Sequence, residues 1–134
     1  MTRDVMLGID PGSSKTGAAL LDTDGTIIKT EVLLMVDFAE ELKQFLADYN
    51  VVVCVLGNGT TSEMMAATIK TVLPGIKLRL IDEAHSTEEA RLLYWELNPP
   101  RGLRKLFPTT MQVPPQNLDG YAAAVLVRRY LKWS

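Results

Sequence analysis

Three acidic positions are spaced so that a fold could gather them. Asp10 closes the short apolar run Val5 to Asp10, Asp82-Glu83 closes the run Ile76 to Ile81, and Asp119 stands in the first turn of a helix-patterned C-terminal segment. Clustered carboxylates repel one another, and they stay charged at neutral pH only where cations compensate them. All-oxygen donors suit hard ions, so Mg²⁺ or Mn²⁺ is the natural choice. Two such ions ~4 Å apart can activate a water and stabilise a leaving phosphate oxygen together, which makes phosphodiester hydrolysis the implied chemistry. The metal-ligand candidates are Asp10, Glu83 and Asp119, with Asp82 as a neighbouring or alternative ligand.

These acids depend on the elements that carry them. Val5 to Asp10 stops at Pro11-Gly12, Thr16 to Asp22 ends near Asp24-Gly25, and Thr26 to Leu34 is β-branched, which together predict an antiparallel three-stranded meander. A capping box, Asp37 with Glu40, then opens a first helix whose apolar face is Phe38, Leu42, Phe45, Leu46 and Tyr49. Val51 to Leu56 is unbroken apolar sequence, as in a parallel strand covered on both faces, and it ends in Gly57-Asn58-Gly59. Thr60 with Glu63 predicts a second cap, for a helix carrying Met65, Ile69 and Val72 that stops at Pro74-Gly75. Ile76 to Ile81 alternates with Lys77 and Arg79, the pattern of an edge strand with one wetter face. Ser86 with Glu89 caps a third helix through Ala90, Leu93, Tyr94 and Leu97, and Asn117 begins a last one that runs to about Trp133.

The order βββαβαβα predicts an α/β mixed sheet with parallel crossovers in its second half. Asp10 and Asp82-Glu83 then share the carboxyl edge, where open α/β sheets bind ligands. With one strand between them, spacings of ~4.8 Å put Asp10 and Glu83 about 10 Å apart at the backbone, a gap two side chains can close. The Gly57-Asn58-Gly59 end of the intervening strand would leave room for ions and a phosphate. Asp119 shares a helical stripe with Ala122, Ala123, Leu126 and Tyr130, so it points inward. Its alternative role is that of a helix-dipole acid, stabilising by ~0.3–1 kcal/mol.

The 134 residues predict one domain spanning 1–134, with an ordinary 47% apolar and 22% charged content. A lone cysteine, Cys54, excludes an internal disulfide and a thiolate zinc cage, and it fits a reducing, cytoplasmic setting. No run approaches the ~18 apolar residues of a membrane span, and the N-terminus lacks a secretory pattern. The net charge of −2 is uneven: residues 1–100 hold 8 Lys/Arg against 15 Asp/Glu, and residues 101–134 hold 6 against Asp119 alone. Residues 98–116 form a long loop with five prolines and the cluster Arg101, Arg104 and Lys105. These three and Lys15 are candidates for gripping a phosphate backbone; the alternative is ordinary solvated charge.

Leu7-Gly8-Ile9-Asp10-Pro11-Gly12-Ser13, Thr16-Gly17, Ile81-Asp82-Glu83 with Ser86-Thr87, and Asp119 ahead of an alanine-rich helix together resemble the YqgF/RuvX family of RuvC-like nucleases, over nearly the whole chain. The resemblance implies an RNase H-like fold with sheet order 3-2-1-4-5. It also implies divalent-metal-dependent cleavage, in either pre-16S ribosomal RNA processing or resolution of branched DNA, with Asp10, Glu83 and Asp119 as the family's acids. Junction cleavage would favour a two-fold homodimer, whereas RNA end processing can use a monomer. Two positions depart from the family: Ala84 stands where an Arg usually follows the acidic pair, and Gly57-Asn58-Gly59 replaces a Gly-Leu-Pro turn.

Other readings compete. Asp82-Glu83-Ala84-His85 spells a helicase DEAH box, but no phosphate-binding P-loop precedes it. Gly12 to Gly17 resembles the glycine-rich first hairpin of sugar kinases and actin-like ATPases, which makes a nucleotide-binding module the alternative function. A fold of the same family that binds nucleic acid without cutting it is the third. His85 is a candidate proton carrier or a helix-entry histidine with a local hydrogen bond. Of the adjacent Tyr94 and Trp95, one packs inward and the other is placed to stack on a base.

Overall fold

The computed structural model describes residues 3–99 and 118–133. Strands β1 (Arg3–Asp10), β2 (Lys15–Asp22) and β3 (Ile27–Leu34) form the antiparallel meander, closed between β2 and β3 by a turn in which Gly25 adopts a φ of +94°. A 3-10 turn, Met35–Asp37, leads into α1 (Phe38–Phe45). Then follow β4 (Tyr49–Gly57), α2 (Ser62–Val72), β5 (Leu78–Ile81), α3 (Ser86–Leu97) and α4 (Asp119–Trp133). The five strands order as β3-β2-β1-β4-β5, with β4 parallel to both β1 and β5. This is the mixed α/β sheet that the sequence predicts.

Alternation along the strands builds two cores. Val5, Leu7, Ile9, Leu20, Cys54 and Leu56 face α1 and α2, where Leu42, Phe45, Met65 and Ile69 meet them. Met6, Ala19, Leu21, Val53 and Val55 face α3 and α4, against Leu93, Ala123, Leu126 and Val127. Each fully buried Leu or Ile is worth ~1.5–3 kcal/mol, so the sheet is fixed from both sides. Asp10 has the parity of Met6 and Gly8, which puts it on the α4 face. Among the described residues no helix is long and apolar enough to cross a membrane.

Several local expectations give way to tertiary contacts. The first helix ends at Phe45, and the chain turns through Asp48 at a φ of 71°, so Tyr49 opens β4 instead of closing the helix. β4 is not covered throughout: its register against β1 shifts between Val5 and Met6, and the extra residue Val52 is 40% exposed. None of the three expected capping boxes forms. Asp37 makes no side-chain cap, and the Glu41 carboxylate accepts the Leu34 N–H at 3.2 Å to hold that bend. The second helix starts one residue late, with Thr61 at its N-cap. At the third, His85 takes the N-cap position in left-handed conformation, Ser86 lies inside the helix, and Glu89 is committed to Arg129.

Candidate active site

The site begins where β1 ends. Asp10 pairs across the ladder with Gly17 of β2, and the first turn of α4 lies directly on Gly17. A Cβ at Gly17 would collide with the backbone carbonyl of Asp119, and one at Gly8 would collide with the carbonyl of Ala123. Glycine at these two points, facing a run of alanines, lets the helix sit close enough to bring Asp119 beside Asp10. The inward stripe of α4 is real for Ala122, Ala123 and Leu126, all buried, while Asp119 itself is half-buried at the rim.

Glu83 comes from the segment after β5. Its carboxyl lies over the glycine turn that ends β4, and a Cβ on Gly57 would stand 2.5 Å from Glu83 Oε2, one on Gly59 2.6 Å from Glu83 Oε1. The room expected there for ions is therefore filled by the Glu83 carboxyl itself. Asn58, between the glycines, donates its N–H to the Ile81 carbonyl at 3.1 Å and accepts the Glu83 N–H on Oδ1 at 3.4 Å. Glu83 Oε2 is buried with no N–H or hydroxyl donor.

The electrostatics follow from this packing. Burial, the approach of the Glu83 carboxyl to hydrogen-bonding range, and the charges of Glu83 and Asp119 all push Asp10 up, from the ordinary 3.8 to about 7. Two carboxyls share a hydrogen bond only when one carries the proton. Among the described residues no cationic side chain is among the groups acting on Asp10. Among the described residues no three carboxylate, imidazole or thiolate groups stand as a preformed metal cage. The acids gather instead as a close pair, Asp10 and Glu83, with Asp119 near enough to act on Asp10 through its charge.

The remaining candidates fall in different places. Asp82 is exposed, and its Oδ1 accepts the Ala84 N–H at 2.9 Å, a local turn. His85 is exposed, with Nδ1 3.5 Å from Glu88 Oε2, the local pairing of a helix-entry residue. Lys15 is exposed at the start of β2, on the same hairpin as Asp10. Arg101, Arg104 and Lys105 lie outside the described residues. Tyr94 and Trp95 are both buried, packed edge-to-face with ring centroids 5.1 Å apart, so neither is free to stack on a base. Sequence reasoning missed Arg129, which lies in a basic helical stretch that reads as solvent-facing. Its guanidinium reaches the carbonyls of Asp82 and Ala84, on either side of Glu83.

Comparison with solved structures places this geometry in a known fold. The chain is similar to the RuvC protein of Thermus thermophilus over 97% of its own length and 96% of that chain, with a TM-score of 0.63 at 12% identity. The architecture is thus an RNase H-like α/β fold. Partial likenesses also extend to a ROK family transcriptional regulator (TM-score 0.48, 11% identity, 67% of this chain and 30% of that one). A ROK family glucokinase from Streptomyces griseus, solved with glucose and AMPPNP, is similar at a TM-score of 0.45 and 13% identity over 65% of this chain and 36% of that one. The chain spans about a third of the length of these two proteins. No family model matches the sequence, and no curated protein matches it.

Proposed function

We propose that this chain is a divalent-metal-dependent endonuclease that hydrolyses phosphodiester bonds in structured nucleic acid, in either pre-16S ribosomal RNA processing or resolution of branched DNA. The observation that carries the reading is the Asp10–Glu83 pair: two carboxyls packed together at the carboxyl edge of the sheet, with a third acid beside them. Such a pair fits a hard divalent ion, whose charge would draw the shared proton off Asp10. The donorless Glu83 Oε2 is a further acceptor awaiting a positive partner. The full-length fold similarity to RuvC supports the same reading, as do the motifs shared with the YqgF/RuvX nucleases.

Asp10 and Glu83 would hold the Mg²⁺ or Mn²⁺, with Asp119 completing the acidic rim and Asp82 as an outer neighbour. When bound, such an ion activates water and offsets charge on a phosphate. The protein's own part is to hold the carboxylates rigidly. Gly57 and Gly59 seat Glu83, β1 delivers Asp10, and the close seat of α4 on Gly17 delivers Asp119. Lys15 and the loop cluster Arg101, Arg104 and Lys105 would hold the phosphate backbone, which makes binding fall steeply with salt. Such substrates place the protein in the cytoplasm.

The test is Mn²⁺-dependent cleavage of two labelled substrates, a precursor ribosomal RNA fragment and a four-way DNA junction, by wild type and Asp10→Asn. Cutting by wild type and its loss in the variant is expected, and the preferred substrate names the role. Sedimentation on the junction separates a dimer from a monomer. Cleavage by Asp10→Asn at the wild-type rate would overturn the assignment.

A further inference from the structure

Arg129, near the C-terminal end of α4, has a side chain only 11% exposed and spends its donors unusually. Nη1 donates to the Asp82 carbonyl and Nη2 to the Ala84 carbonyl, both at 2.7 Å. On its other side the guanidinium meets the Glu89 carboxylate of α3, Nε to Oε2 at 3.2 Å and Nη2 to Oε1 at 2.9 Å. The two carbonyls flank Glu83. The segment's other hydrogen bonds are weaker anchors: Asp82 to the Ala84 N–H and Glu83 O to the Ser86 N–H are local, and Asn58 reaches the Glu83 N–H at 3.4 Å.

We propose that Arg129 is a positioning residue for Glu83: by gripping the peptide carbonyls on both sides of it, Arg129 fixes the direction in which the Glu83 carboxylate leaves the chain, over the glycine turn and toward Asp10. The inference rests on the reading of Glu83 as a metal ligand. A planar guanidinium can bridge two carbonyls and a carboxylate at once, whereas a lysine ammonium is a point donor that cannot span them. Arg129 therefore couples three elements, α4, α3 and the segment after β5, at Glu83, whose Oε2 is buried without a donor among the described residues. Outer partners that orient metal ligands typically change metal affinity by about 10–100-fold when removed.

The experiment compares wild type, Arg129→Lys and Glu89→Gln by calorimetric titration with Mn²⁺ alone and by amide hydrogen exchange at Glu83 and Ala84. Arg129→Lys is expected to weaken Mn²⁺ binding about tenfold or more and to speed exchange at both amides. Glu89→Gln removes the ion pair but leaves the two carbonyl bonds, so its Mn²⁺ affinity is expected within about twofold of wild type even where its melting temperature falls. Should Arg129→Lys fail to fold, Arg129→Gln takes its place. Equal Mn²⁺ affinity in wild type and the Arg129 variant, or equal weakening by Glu89→Gln, overturns the proposal. Wild type that takes up no Mn²⁺ defeats the nuclease reading instead. Amide exchange then decides alone whether Arg129 grips the segment: acceleration in the Arg129 variant sustains the grip, and unchanged exchange overturns it.

Discussion

Strand β1 has acids at both ends, and the fold treats them in opposite ways. At the amino end Asp4 accepts the Asn50 Nδ2–H at 2.8 Å, and Asp22, brought alongside by β2, pairs with the Arg3 guanidinium. At the carboxyl end Asp10 meets Glu83 and Asp119, and both push its proton affinity up. One end pairs an acid with an arginine, and the other concentrates like charge around Asp10. Three acids gathered at one end, two of them in contact, fit the divalent cation proposed above. The carboxyl end gathers the acids of the proposed site, and the amino end pairs its charge within the sheet.

The largest expected effect separates the two ends by activity. Asp10→Asn removes a proposed ligand with almost no change in volume, and metal-dependent cleavage should drop about 10²–10³-fold, the usual scale for losing one group that stabilises developing charge. Asp22→Asn, the matching change at the other end, should cleave within about twofold of wild type. Initial rates at saturating Mn²⁺, with circular dichroism melts to confirm folding, make the comparison. Similar losses in both variants would erase the distinction.

The next effect tests how Glu83 is seated. Gly57→Ala places a methyl 2.5 Å from Glu83 Oε2, and Pro11 Cδ at 3.2 Å and Leu126 Cδ1 at 3.1 Å close the other sides. The Glu83 carboxylate, the nearest group and the far end of a flexible side chain, is what must move. Overpacking of this kind costs ~1–3 kcal/mol, and cleavage should fall about tenfold through displacement of the ligand. Urea unfolding and Mn²⁺ titration of the same variant measure both losses. Gly75→Ala has open space around it, so its cost of about 1 kcal/mol is confined to a φ of +78°, and it should leave cleavage unchanged.

This seating also marks the limit of what could be read from the chain. The strands and the edge that collects the acids were legible because apolar runs such as Val5 to Ile9 and Val51 to Leu56 dominate their neighbourhoods, while the strand order came from the family resemblance. The carboxylate positions followed from strand ends. The glycine turn is visible in the sequence but its occupant is not, because nothing local says that a side chain from beyond the next strand will fill it. The capping boxes failed for the same reason: a motif four residues long cannot know that Glu89 will be claimed by Arg129, forty positions away. Arg129 itself was illegible, since beside Arg128 and Lys132 it looks like one more solvated charge.

A smaller effect appears as a pH dependence of stability in the metal-free protein. An acid whose native pKa is raised binds its proton more tightly in the folded chain, so folding stability is greatest below the unfolded value. It declines as pH climbs from the ordinary 3.8 to about 7, and above that the full penalty of the charged cluster is present. With the open rim of the site screening part of the repulsion, that penalty is about 1–2 kcal/mol. Asp10→Asn should be the more stable protein at pH 8 by that amount, with a flatter slope between pH 4 and 7. Saturating Mn²⁺ should restore wild type by mass action and leave the variant unmoved. Chemical denaturation across the range reads all three.

The smallest effect belongs to the amino end, and its smallness is the point. The Arg3 side chain is 56% exposed and that of Asp22 27%, so water screens their attraction and the ordering of two flexible side chains offsets much of what remains. Arg3→Ala should lower the melting temperature only slightly, and the difference should shrink further as salt shortens the Debye length from ~10 Å at 0.1 M to ~3 Å at 1 M. Salt acts in the reverse sense at the other end, where screening relieves repulsion between Asp10, Glu83 and Asp119 and the metal-free protein gains stability. Added monovalent salt therefore weakens the ion-paired end and strengthens the acid-rich one. Thermal melts of wild type, Arg3→Ala and Asp10→Asn over that range should show the Arg3 variant converging on wild type and the Asp10 advantage shrinking. Parallel, salt-independent offsets would mean that the two ends of β1 do not differ in charge compensation at all.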